Sequence, residues 1–259
     1  MKAIELMTEL IGKENLEKGQ TVDTCKWGDP EREIRKVATC LTATPDVLRA
    51  CEAWGTDLLI THEPCVYDHY DRPRNDKITE KKLELLRKTD FVIWRFHDHI
   101  HSRELPDGIH TGFISKLGLK GTYDGRRFFF PDEPISAREI ALRAEKACLT
   151  KHARIAGDPD AKTNKIALYL GAVGDLADPF ASDDTGVAVL GEICEWRNVE
   201  QIRDAAQMGI EKAFVVLGHC ASEWPGMELL AKEIKEQHAE LDVRFIPCGD
   251  IYTFTDSEN

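Results

Sequence analysis

The sequence predicts an α/β protein with largely parallel or mixed sheets and helices on the sheet faces. Three observations lead there. Short apolar runs that end abruptly in polar residues alternate with longer stretches of helical periodicity. The helical stretches carry start and stop signals, Thr44, Ser136 and Gly118 being the clearest. Finally, 259 residues that are 42% hydrophobic and 31% charged supply a sizeable core without disulfide staples.

In chain order, Met1–Gln20 is an amphipathic helical pattern through Ile4, Met7, Leu10 and Ile11 that also carries four glutamates. A secretory leader has an uninterrupted apolar centre and a basic front, so this segment does not read as one. Ile34–Leu41 alternates as a strand. Pro45–Ala53 follows as a helix with Thr44 as its cap and proline in its first turn. Leu58–Ile60 is a buried strand, Ile78–Leu86 a helix, Phe91–Phe96 a strand, and His110–Leu117 a short helix closed by Gly118. The turn-rich stretch Gly121–Arg126 opens a second series. Phe128–Phe130 is a strand, and Ser136 with Glu139 forms a capping box heading a helix that ends near Cys148. Lys165–Leu170, Val187–Leu190 and Ala213–Leu217 are strands, and Val199–Met208 is a helix. Pro225–Gln237 is a helix that begins with proline in its first turn, and Val243–Ile246 and Ile251–Phe254 are closing strands. Asp175–Thr185 is an acidic solvated loop that lacks the spacing of a calcium-binding hand.

The 34 basic and 46 acidic residues leave a net charge of −12. A field of that sign repels phosphate backbones and disfavours generic nucleic-acid or anionic-membrane binding. No apolar run approaches the ~20 residues of a membrane span. Eight scattered cysteines without any C-x-x-C pair read as reduced thiols, which places the chain in the cytoplasm.

Chemistry concentrates at three strand exits. Leu58–Ile60 runs into Thr61-His62-Glu63-Pro64, Phe91–Phe96 into His97-Asp98-His99-Ile100-His101, and Ala213–Leu217 into Gly218-His219-Cys220-Ala221-Ser222-Glu223. In open α/β sheets the carboxyl ends of strands line the ligand crevice. Imidazole with carboxylate suits Zn, Mn or Fe, and the missing thiolate pairs argue against structural zinc. A helical turn puts His97 with His101, and His219 with Glu223, on one face. Any single one of these histidines reads as an ordinary polar residue at a strand end, so the case rests on three exits agreeing. His69, His110, His152 and His238 lack such context and read as structural or surface residues. Motifs for a serine nucleophile, a P-loop or a dinucleotide fold are absent. Cys65 and Cys220 beside the histidines permit a Cys–His nucleophile, but thiols there are more commonly packing residues.

At these residues the sequence resembles the NGG-interacting factor 3 like family, also called dinuclear metal-centre hexameric proteins or GTP cyclohydrolase I type 2 homologues. The resemblance spans nearly the whole chain. It rests on Gly28-Asp29-Pro30 with Cys40–Thr44, on Gly55–Pro64, on His97–His101 followed by Gly108–Leu119, and most specifically on Gly218-His219, Ser222-Glu223 and Gly226. Glu63 stands where the family has a second histidine, and His101 where it has aspartate. The resemblance implies two α/β lobes with a metal pair in the cleft between them and six chains forming a hollow toroid. It puts residues 1–125 and 218–259 in the first lobe and 126–217 in the second. It implies two divalent cations (Zn, Fe or Mn) ligated by His62, Glu63, His101, His219 and Glu223, with Glu223 bridging and His97 a ligand or general acid/base. The swap keeps three imidazoles and two carboxylates, so Glu63 and His101 are both expected to bind.

The leading functional reading is a dinuclear metal-dependent hydrolase. The family name suggests a small-molecule substrate such as GTP or another nucleotide or heterocycle. The alternative is a metal-stabilised binding or regulatory protein without turnover. Metal-supplemented assays on a broad substrate panel discriminate the two.

Overall fold

The computed structural model of the chain describes all residues except 19, 103–105, 174–179, 181–183 and 256–259, with backbone alone for 18 and 102. The chain forms two compact units. The first comprises Met1–Glu104 and Met227–Gly249, the second Leu105–Gly226 and Asp250–Asn259. No helix among the described residues is long and apolar enough to cross a membrane.

The first unit is built on a five-stranded sheet in the order Cys25–Trp27, Val92–Arg95, Leu58–Thr61, Lys36–Cys40, Asp242–Phe245. Cys25–Trp27 is antiparallel to its neighbour and the other pairs are parallel. All four residues of Leu58–Thr61 and of Val92–Arg95 are buried, as strands covered on both faces must be. Helix Pro45–Trp54 packs Val47, Leu48 and Cys51 into a core with Ala38, Leu59 and Ile93. Its start is as expected, with Thr44 Oγ1 accepting from Val47 N at 3.2 Å. Helix Lys77–Leu86 is capped instead by Asp76, which accepts from the amides of Ile78 and Thr79. The N-terminal pattern resolves into two helices, Ala3–Ile11 and Lys13–Lys18, separated at Gly12.

The second unit carries a six-stranded mixed sheet. Its order is Gly121–Tyr123, Phe128–Pro131, Ile166–Tyr169, Val187–Leu190, Ala213–Val216, Arg154–Gly157. The three strands from Ile166 to Val216 are parallel and fully buried, and antiparallel strands flank them. Ser136 caps helix Ala137–Cys148 through Glu139 N, as its sequence predicts. Helix Gly108–Leu117 crosses the start of helix His219–Gln237 with almost no gap. A Cβ on Gly112 would lie 2.5 Å from the Gly226 Cα, so both positions need glycine.

Several sequence-based expectations are corrected. Gly121–Tyr123 is a strand rather than a turn, because it pairs with Phe128–Pro131 as a hairpin. The last long helix starts at His219, not near Pro225, which sits in its second turn. Gly218, at φ +96°, turns the chain off its strand, and its carbonyl accepts from Ser222 N at 3.1 Å, so helical bonding begins before the proline. The helix expected over Val199–Met208 is present as Glu200–Gln207, with a π-helical turn, Glu195–Val199, added ahead of it. Ile251–Phe254 has no strand partner and is irregular. The acidic loop Asp175–Thr185 falls mostly outside the described residues.

Candidate metal centre

In the first unit, Leu58–Thr61 and Val92–Arg95 are parallel neighbours in register, Thr61 opposite Arg95. They therefore end at one sheet edge, and the residues that follow them emerge side by side. His62 and Glu63 leave the first strand, Phe96 and His97 the second. Helix Asp98–Ser102 then brings His101 back to the same place. The His62 and His97 rings stack at 4.6 Å, and His101 stands edge-on to them at 5.2 and 5.4 Å. One ring nitrogen from each of the three lies within 4.8 Å of the others, and a Glu63 carboxylate oxygen lies within 4.8 Å of a His62 nitrogen.

Hydrogen bonds fix the tautomers. His62 Nδ1 is 3.1 Å from the carbonyl of Phe96, which can only accept, so Nδ1 carries the proton and Nε2 the lone pair. His62 is fully buried. Burial first, then the His101 and His97 rings, push its pKa well below the ordinary imidazole value and keep it in the neutral, ligating form. His97 Nδ1 donates to Asp98 Oδ1 at 3.0 Å, while Asp98 Oδ2 accepts from Thr21 Oγ1 at 2.8 Å and Val22 N at 3.1 Å. Burial opposes ionisation of Asp98, but the bonds from His97, Val22 and Thr21 outweigh it and bring its pKa down to about 2.

Two buried charged residues hold this backbone in place. Asp23 is fully buried and accepts from the amides of His97, Asp98 and His99 at 2.6, 2.9 and 2.8 Å. It caps the short helix from a distant loop, and also takes His99 Nδ1 at 2.8 Å, so His99 is tied to the cap. Arg95, fully buried, donates to the carbonyls of His62 (3.0 Å) and His69, with Asp71 3.8 Å away as counter-ion. The exposed His69 has its ring edge-on to His97 at 5.5 Å.

In the second unit the three parallel strands all leave through a leucine–glycine pair: Leu170-Gly171, Leu190-Gly191 and Leu217-Gly218. His219 and Glu223 lie on the first turns of the helix that follows the last of them. His219 stands between two carboxylates, with Nδ1 2.6 Å from Glu192 and Nε2 3.0 Å from Glu223. Glu223 is buried, and a Cβ on Gly171, at φ +70°, would lie 2.0 Å from its Oε1. The glycine is what leaves room for that carboxylate. Ser222 Oγ accepts from Gly171 N at 3.0 Å and donates to the His219 carbonyl at 2.8 Å, locking the turn to the strand exit.

The structure thus gathers His62, Glu63, His97 and His101 in the first unit, and pairs His219 with Glu223 in the second. The donors fit a divalent transition metal. His62 is neutral with its lone pair on Nε2, His97 and His219 each have Nδ1 turned to a carboxylate, and carboxylates of Glu63 and Glu223 stand beside them. Burial pushes the Cys65 thiol up to about 12, which removes it as a nucleophile at neutral pH. His110 is bonded to Tyr123 and Arg126, and His238 to Glu9, as structural residues are. Asp23, Arg95, Glu192 and Gly171 escaped the sequence reading. The tripled leucine–glycine exit was a usable signal for Gly171, whereas Asp23 acts on residues 74 to 76 positions away and left none.

The sequence and the fold are similar to those of known proteins. A family model described as Duf34/NIF3 (NGG1p interacting factor 3) matches residues 2–250. A GTP cyclohydrolase 1 type 2 homolog of Clostridium perfringens is 24% identical over 249 residues, covering 92% of each chain. A protein of the same name from Clostridium acetobutylicum is 21% identical over 221 residues, covering 80% of this chain and 79% of its own. Among solved structures, a Bacillus cereus protein related to NIF3 superposes with a TM-score of 0.74 at 15% identity over 98% of both chains. Reduced HcgD from Methanocaldococcus jannaschii gives 0.66 at 20% identity, over 96% of this chain and 98% of its own. These likenesses establish the fold.

Proposed function

Because the chain belongs to the Duf34/NIF3 family, we propose that it is a metal-dependent hydrolase with a dinuclear centre. The observation that carries this reading is the convergence of His62, His97 and His101 at one sheet edge, with ligand atoms within 4.8 Å of one another. The proposed ligands are His62, Glu63, His101, His219 and Glu223, for two divalent cations of the Zn, Fe or Mn class. Glu223 would be among the residues that hold them, since a carboxylate offers two oxygens. When bound, such a pair polarises a scissile group and supplies a nucleophile at neutral pH.

The chain's own residues prepare the site. Burial holds His62 neutral, and the Phe96 carbonyl holds its proton at Nδ1. Asp98 holds the Nδ1 proton of His97, and Glu192 stands at Nδ1 of His219. Asp23 and Arg95 fix the backbone from which His62, His97 and His101 project. The name shared by the clostridial relatives favours a nucleotide or heterocycle as substrate. A homohexamer in the cytoplasm completes the proposal.

The test begins with elemental analysis of protein purified without chelator, where about two metal equivalents per chain are expected. Turnover of a panel of nucleotides, phosphate esters and heterocycles with Zn, Fe and Mn follows. Glu223→Ala should abolish turnover with its circular dichroism unchanged. Absence of turnover with every metal would replace the hydrolase by a metal-stabilised binding or regulatory protein. Light scattering should give a mass several times 29.3 kDa, and a monomer would refute the assembly.

A further inference from the structure

We propose that the first unit by itself holds a metal position made of three imidazoles, His62, His97 and His101, in which His97 is a ligand and Asp98 is the positioning residue behind it. The inference rests on the metal-binding reading above, but not on hydrolysis.

Three observations carry it. The three rings come from separate rigid supports, two strand exits and one helical turn, yet their ligand atoms lie within 4.8 Å of one another. His97 has its Nδ1 proton committed to Asp98, so Nε2 is the nitrogen that carries a lone pair. Asp98 is itself held by Thr21 and Val22, and the amides of His97 and Asp98 are both held by Asp23. His97 has a fixed proton, a fixed backbone and a fixed carboxylate behind it, which is the arrangement that orients metal-bound histidines and raises their basicity.

Two consequences follow. Within the Zn, Fe or Mn class, a position of three neutral imidazoles selects Zn²⁺ or Fe²⁺ over Mn²⁺, which, like Mg²⁺, favours oxygen donors. The position also needs neither His219 nor Glu223.

The test uses the full chain, stripped of metal by dialysis against chelator. Co²⁺ is titrated in and followed by its visible absorption, and Zn²⁺ affinity is measured against a chromophoric chelator. The double variant His219→Ala, Glu223→Ala should still take up about one equivalent of Co²⁺, and adding His97→Gln should remove it. Asp98→Asn keeps an acceptor for Thr21 and Val22 but loses the charge. It should weaken Zn²⁺ binding by about 10–100-fold while the circular dichroism of the folded chain stays as in the parent. Zn²⁺ should bind at least about 100-fold more tightly than Mn²⁺. The proposal is overturned if the double variant binds no metal, if His97→Gln binds as the parent does, or if Asp98→Asn leaves the affinity unchanged. Equal affinity for Mn²⁺ and Zn²⁺ would overturn it as well. Absence of turnover would sink the hydrolase alone and leave these affinities as expected.

Discussion

Replacing Asp23 with alanine is expected to unseat the helix Asp98–Ser102 without unfolding the chain. The carboxylate is fully buried and accepts four hydrogen bonds of 2.6–2.9 Å, three from consecutive amides and one from His99 Nδ1. Bonds to a buried charge are worth about 1.5–3 kcal/mol each, and a lost helix cap costs about 1 kcal/mol. The terms do not add, because water enters the vacated space and satisfies some of the donors. A net cost of about 3–5 kcal/mol is expected, the range found for breaking one side of a buried charged network. That is below the stability of an ordinary domain, so the loss should stay local. At 1.4 kcal/mol per tenfold, amide exchange at His97, Asp98 and His99 should accelerate by about 100- to 4,000-fold. Hydrogen-exchange mass spectrometry of a peptide spanning residues 96–102 reads this directly. Asp23→Asn retains one acceptor oxygen and should cost less than half as much. Unchanged exchange across that peptide in Asp23→Ala would refute the argument that Asp23 holds the histidine cluster in place.

Three further outcomes are expected. His62 is neutral in the fold but protonates in the unfolded chain near its ordinary pKa of about 6.5. Its contribution is therefore complete above that pH and is lost as pH falls below it, by about 1.4 kcal/mol per unit. Urea titrations of metal-free protein between pH 7 and 5 should show this slope, and His62→Gln should flatten it. Gly171→Ala puts a methyl into the space of the Glu223 carboxylate and a side chain at positive φ. It should cost about 1–2 kcal/mol and lower bound metal by elemental analysis, since the flexible carboxylate gives way first. Arg95→Met removes the donor to the His62 and His69 carbonyls and takes one of the two cations from Asp71, leaving it Lys26 and the amides of Cys65 and Val66 among the described residues. A loss of about 2–4 kcal/mol in denaturant unfolding is expected, and a loss below about 0.5 kcal/mol would show that the clamp is idle.

What the sequence by itself determined is what local chemistry dictates. Thr44 and Ser136 cap their helices because a hydroxyl reaches an amide three residues on, whatever the rest of the chain does. The apolar runs at Leu58–Ile60 and Val187–Leu190 are strands buried on both faces, and runs of that kind leave little choice of partner layer. The histidines at the strand exits were legible for the same reason, since a strand's end is visible in one dimension. What only the tertiary structure decided depends on partners far apart in the chain. Cys25–Trp27 is a strand because Val92–Arg95 offers it an edge, whereas Ile251–Phe254 pairs with no strand. Asp23 and Arg95 look like ordinary surface charges until the fold buries them against the backbone of His62, His97 and His69. The tautomers of His62 and His97 likewise follow from a carbonyl and a carboxylate that the fold places beside Nδ1. Residue type shows that a ring can bind metal, but which nitrogen faces the centre is fixed by hydrogen bonds that exist only after folding.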